Sequence, residues 1–122
     1  MKPLIYIVDD DEGVRESLGL VLELRGYQVD AFCDGRELMT CGAFELCRCI
    51  ILDVHLPGES GMEILAKLRR QQIHVPVIVT TGQATHDIRQ KAKNLNAFAF
   101  FDKPIDGKRL LETVADVVQP VR

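Results

Sequence analysis

Residues 49–53 read Cys49-Ile50-Ile51-Leu52-Asp53, four apolar residues that close on a carboxylate. Three other runs have the same form. Ile5-Tyr6-Ile7-Val8 enters Asp9, Asp10 and Asp11; Val75-Pro76-Val77-Ile78-Val79 enters Thr80 and Thr81; Phe98-Ala99-Phe100-Phe101 enters Asp102 and Lys103. Short continuous apolar runs are the pattern of strands buried on both faces, as in a parallel sheet covered by helices. Ligands bind such sheets at the carboxyl ends of the strands. Carboxylates, a hydroxyl and an amine collected on one sheet edge point to a metal and phosphoryl site.

Between these runs the period changes from strand to helix. Val14, Leu18, Val21 and Leu22 follow helical spacing ahead of Gly26, which predicts a first helix over about 11 to 25. Gln28 to Phe32 alternates polar and apolar residues, so this strand has one less buried face and belongs at a sheet edge. Asp34 with Glu37 and Ser60 with Glu63 have capping-box spacing and mark the second and third helices, the second limited by Gly42. Met62, Leu65 and Leu68 stripe the third helix, Ile88, Ala92 and Leu95 the fourth, and Leu110, Leu111, Val114, Val117 and Val118 the fifth, which Pro120 ends.

Strand and helix thus alternate five times. The fold class is α/β, a doubly wound parallel sheet with right-handed crossovers and strand order 2-1-3-4-5. In that order strands one and three are neighbours, and Asp9, Asp10 and Asp53 converge at the switch point between them.

The 122 residues, 47% hydrophobic, suit one domain spanning 1–122, with 119–122 as a tail or the start of a linker. Fifteen basic and eighteen acidic residues give a formal net charge of −3, without the footprint of a nucleic-acid binder. Any DNA binding would come from another domain or chain. The apolar stretches fall far short of the ~20 residues of a membrane span, and Met-Lys-Pro-Leu is no secretory signal, so the reading is a soluble, cytoplasmic protein. None of Cys33, Cys41, Cys47 and Cys49 forms a Cys-x-x-Cys pair. They read as free thiols acting as small apolar residues, with a redox-sensing role as the alternative, and Cys47 and Cys49, two apart in a strand, are expected to share a face.

Two carboxylates about 4 Å apart repel by roughly 4 kcal/mol at an effective dielectric of 20, so the acidic cluster calls for protons or a cation. Mg2+ suits it, because it needs only one or two carboxylates and keeps waters and a substrate phosphate in its octahedron. Asp11 and Glu12 have a different role as capping residues at a helix N-terminus. Asp53, ionised at neutral pH, needs no general base to attack phosphorus. Lys103 can pair with one oxygen of the transferring group, and the Thr81 hydroxyl can donate to another.

These segments, Ile5 to Glu12 (IYIVDDDE), Ile51 to Gly61 (ILDVHLPGESG), Val77 to Gly82 (VIVTTG) and Phe100 to Pro104 (FFDKP), resemble the receiver domain of two-component response regulators. The resemblance covers essentially the whole chain and implies the flavodoxin-like (βα)5 fold. It implies Asp53 as phosphoacceptor, Asp10 and Asp53 as direct Mg2+ ligands, Asp9 acting largely through water, and the His55 backbone carbonyl as a further ligand. Thr81 and Lys103 contact the phosphoryl group, and the Lys103-Pro104 bond is expected to be cis. Thr81 and Phe100 form the switch, while His55 and Gln83, two residues after Asp53 and Thr81, tune the lifetime of the phosphorylated state. Asn96 replaces the usual glycine at the end of the fourth helix, a position where asparagine also tolerates the left-handed conformation.

The resemblance further implies a sensor histidine kinase or phosphotransfer protein as donor, and the domain's own output domain or a downstream protein as target. A changed face of fourth helix, fifth strand and fifth helix would carry the output, with a homodimer formed on phosphorylation. Val14-Arg15-Glu16-Ser17-Leu18 and Thr81-Gly82 are similar to the branch that precedes a helix-turn-helix output domain. On this reading the chain is no enzyme beyond assisting its own phosphotransfer and dephosphorylation. A phosphatase with an aspartyl nucleophile usually has a second aspartate where this chain has His55, and the intact set Asp9, Asp10, Asp53, Thr81 and Lys103 argues against a degenerate receiver that only binds partners.

Overall fold

A computed structural model describes residues 2–118. Five parallel strands, β1 (Leu4–Val8), β2 (Gln28–Phe32), β3 (Cys47–Asp53), β4 (Val77–Thr81) and β5 (Ala99–Asp102), form one sheet in the order β2-β1-β3-β4-β5. They alternate with α1 (Glu12–Leu24), α2 (Gly35–Cys41), α3 (Gly61–Arg70), α4 (His86–Asn94) and α5 (Gly107–Val118). The expected strand order and the edge position of β2 are therefore both present. The expected stop at Pro120 and the tail at 119–122 lie outside the described residues.

Because side chains alternate along a strand, each central strand feeds two cores. Tyr6, Val8, Ile50, Leu52, Val77 and Val79 pack toward α2, α3 and α4, meeting Leu38, Ile64, Leu65, Leu68 and Ala92. Ile5, Ile7, Ile51 and Ile78 pack toward α1 and α5, meeting Leu18, Leu22, Leu110 and Val114. Each large aliphatic side chain so buried stabilises the fold by about 1.5–3 kcal/mol.

Cys47 and Cys49 depart from the expected pattern. Leu4 is opposite Cys47 but Ile5 is opposite Cys49, so one extra residue, Arg48, is inserted in β3. A bulge of this kind reverses the facing of what precedes it. Cys47 consequently lies in the α2–α4 core and Cys49 in the α1–α5 core. Arg48 reaches across to α5, its guanidinium donating to the Val118 carbonyl at 2.9 Å. All four thiols are free.

The helix starts follow their capping residues. Asp11, Asp34, Ser60 and Thr85 each accept a hydrogen bond from the backbone N–H three residues on. Of these four caps, only Ser60–Glu63 forms a reciprocal capping box. At α2, Glu37 instead accepts from the Cys33 N–H at 3.1 Å, one residue earlier than a closed box requires. Asn96 adopts φ 60° at the end of α4, as its side chain allows. Gln72 takes the same conformation, φ 62°, after α3.

Candidate functional site

The carboxyl ends of β1, β3, β4 and β5 bring Asp9, Asp53, Thr81 and Lys103 to one edge. Asp53 is the last residue of β3, opposite Thr80 of β4, and is buried. The loop after it is tightly closed: Val54 N–H donates to Thr80 O at 2.9 Å, and Gly61 N–H to Val54 O at 2.8 Å. Gly61 must be a glycine here, since a Cβ would collide with the Asp53 carbonyl oxygen and lie 2.9 Å from Val54 Cα. The first turn of α3 is thereby packed directly under the Asp53 backbone.

Lys103 follows β5, its N–H donating to Thr81 O at 2.8 Å, and the Lys103-Pro104 bond is cis as expected. Its ammonium lies 2.8 Å from Asp9 Oδ2 and 3.4 Å from Asp53 Oδ2. Asp9 accepts at its other oxygen from the Asp11 N–H at 2.9 Å, so both oxygens of this buried carboxylate are engaged. Asp10 is exposed beside them. One carboxylate oxygen from each of Asp9, Asp10 and Asp53 lies within 4.8 Å of the others, a donor set that can hold a metal cation.

Electrostatics follow from this crowding. Burial, reinforced by the Asp9 charge, raises the Asp53 pKa above the ordinary carboxylate value, and the Lys103 ammonium only partly offsets it. Burial alone would lower the Lys103 pKa, but its hydrogen bond to Asp9 and the Asp53 charge outweigh burial and raise it. Lys103 is therefore firmly cationic at neutral pH, while Asp53 is a carboxylate held at a cost that a bound cation would relieve.

The remaining expected residues surround this centre. Thr81 is fully buried, its Oγ1 accepting from the Gln83 N–H at 3.1 Å. His55 N–H donates to Asp53 Oδ1 at 3.3 Å. The side chains of His55 and Gln83 are both exposed at the rim, and Phe100 is half-buried on β5. Two arginines make contacts at the site that their place in the sequence does not announce. Arg15 on α1 donates to the Asp9 carbonyl at 2.8 Å, and Arg89 on α4 lies over the Phe100 ring. Neither spacing carries a signal, because an arginine on an exposed helix face is ordinary.

Residues 5–115 match the response regulator receiver domain. The chain belongs to that family. As a receiver domain it is a phosphorylation-dependent switch of two-component signalling. It is 34% identical to nodulation protein W of Bradyrhizobium diazoefficiens over 93% of this chain and 50% of that protein. With the transcriptional regulatory protein FixJ of Azorhizobium caulinodans it shares 34% over 90% of this chain and 52% of the relative. The chain thus spans about half the length of these relatives. Among solved structures, the CheY-like receiver domain protein of Methanospirillum hungatei superposes with a TM-score of 0.90 at 28% identity, covering 97% of this chain and 94% of that one. The non-phosphorylated HemR receiver domain of Leptospira biflexa gives 0.90 and 28%, covering 99% and 98%. Among the described residues, no helix of this receiver domain is long and apolar enough to cross a membrane.

Proposed function

We propose that Asp53 accepts a phosphoryl group from a phosphohistidine of a sensor histidine kinase or phosphotransfer protein. The supporting observation is the pairing of Asp53 with the Lys103 ammonium at 3.4 Å inside a cluster of three carboxylates. In the transfer, an Asp53 carboxylate oxygen bonds to phosphorus as the nitrogen–phosphorus bond breaks, and the imidazole leaves with that electron pair. Bound by Asp10 and Asp53, with the His55 carbonyl as a further ligand, Mg2+ would offset charge on the transferring group. Asp9 has both oxygens engaged, which supports its acting through water instead of as a direct ligand. Lys103 stabilises one phosphoryl oxygen, and the Thr81 hydroxyl donates to another after leaving the Gln83 N–H.

Drawing Thr81 toward the phosphoryl group vacates space beneath β4, and Phe100 turns into it. The face of α4, β5 and α5, with Phe98 half exposed, changes with it and contacts an output domain, a downstream protein or a second copy. The domain itself contacts neither nucleic acid nor membrane and works in the cytoplasm. Water reverses the switch by attacking phosphorus, releasing phosphate and regenerating the carboxylate. His55 and Gln83 set the rate of that step, since both side chains are exposed and their backbone N–H groups bond Asp53 and Thr81. The experiment is incubation with a small-molecule phosphodonor and Mg2+. Wild type gains one phosphoryl group by intact mass and Asp53→Asn gains none, whereas equal labelling of both would sink the proposal. Replacing His55 and Gln83 together by alanine changes the decay rate; an unchanged rate removes them from the mechanism.

A further inference from the structure

The guanidinium of Arg89 spans from α4 to two residues of β5. Its Cζ lies 4.7 Å from the centroid of the Phe100 ring, and its Nη2 lies 2.9 Å from Asp102 Oδ2. Phe100 and Asp102, two apart on a strand, project from the same face, so one planar cation covers a ring and forms an ion pair at once. A lysine ammonium, a compact point charge, does not reproduce that double contact.

The two gripped residues adjoin the phosphoryl site. Asp102 is the strand partner of Thr81, and Lys103, next to it, donates its N–H to Thr81 O. Phe100 packs at the margin of the α2–α4 core, half-buried, with the Arg89 guanidinium over its ring. We infer that Arg89 is a positioning residue of the switch: it latches the Phe100 ring in its half-buried place and ties α4 to β5, and the ring turns inward only when this latch opens. The inference rests on the proposed coupling of Asp53 phosphorylation to Phe100. The Arg89 and Asp102 side chains are 53% and 56% exposed, so each contact is individually weak. A weak double contact is what a reversible latch requires, because phosphorylation has to open it.

The test labels the protein with fluorophenylalanine, assigns the Phe100 resonance with Phe100→Leu, and compares wild type, Arg89→Ala, Arg89→Lys and Asp102→Ala. Fluorine NMR is recorded before and after treatment with a small-molecule phosphodonor and Mg2+, together with the phosphorylation rate. Without phosphodonor, Arg89→Ala moves the Phe100 resonance part of the way to its phosphorylated wild-type position, and once phosphodonor and Mg2+ are added it is phosphorylated about fivefold faster than wild type. Arg89→Lys and Asp102→Ala fall between wild type and Arg89→Ala. A merely structural Arg89 would lower the melting temperature and leave the Phe100 resonance and the rate where they were, which overturns the latch. Phosphorylation of wild type without movement of the Phe100 resonance also overturns it, while the phosphoacceptor reading stands. No phosphorylation of wild type removes both.

Discussion

The ammonium of Lys103 lies 3.4 Å from Asp53 Oδ2 although β5 and β3 are not neighbours in the sheet. Lys103 reaches past the end of β4, and its shorter contact, 2.8 Å, is to Asp9. One cation thus stands among three carboxylates. Burial and then the Asp9 charge raise the Asp53 pKa, the Lys103 ammonium only partly offsets them, and the crowded carboxylates create the demand for a further cation.

Lys103→Ala removes the only ammonium paired with the cluster among the described residues. Loss of one positioned donor to the developing phosphoryl charge costs about 10²–10³-fold in rate. We expect phosphorylation by a small-molecule donor to slow by that factor, measured by intact mass over time, with the carboxylate set for metal binding still present.

Asp53→Asn should stabilise the metal-free protein. With its folded pKa raised, Asp53 holds a proton in the native state at pH values where the unfolded chain has released it, so stability falls as pH rises from the unfolded value, 3.8, through the folded one. Removing the charge relieves this at neutral pH, so the melting temperature of the variant rises above that of wild type. Differential scanning calorimetry in chelator checks it, and added Mg2+ should raise wild type more than the variant.

Alkaline pH acts in the same direction on other groups. Burial pushes the Cys47 thiol from 9.0 up to about 11, and burial also raises that of Cys49. The native state then holds protons that the unfolded chain has lost, so stability falls as pH rises from 9.0 through about 11. Cys47→Ala should make melting temperature depend less steeply on pH across this window.

Gly61→Ala drives a methyl into the Asp53 backbone carbonyl, with Val54 Cα 2.9 Å away. The start of α3 or the end of β3 must shift, at a cost of about 1–3 kcal/mol. Chemical denaturation measures that loss, and phosphorylation should slow with it because Asp53 itself is displaced.

Strand order and the four-residue centre were legible because each rests on local pattern: apolar runs ending in polar residues, and a topology that puts β1 beside β3. Asn96 was legible for the same reason, since its left-handed φ of 60° depends on its own side chain. Cys47 and Cys49 were misread because a single inserted residue, Arg48, reverses the facing of everything before it, and nothing in composition marks the insertion. The spacing of Asp34 and Glu37 marked the start of α2, but Glu37 accepts from the Cys33 N–H where a reciprocal box would use that of Asp34. Arg69 shows the deepest limit. It donates to the carbonyls of Ile73, Val75, Leu95 and Asn96, joining the end of α3 to the end of α4 through long-range contacts that no spacing reveals.

An acyl phosphate on Asp53 can be trapped chemically. Borohydride reduces a phosphorylated aspartate to homoserine, which peptide mass spectrometry can place. After treatment with phosphodonor, Mg2+ and borohydride, homoserine is expected at position 53 alone. Homoserine at Asp9 or Asp10, or at no position in a protein shown to be folded, would contradict it.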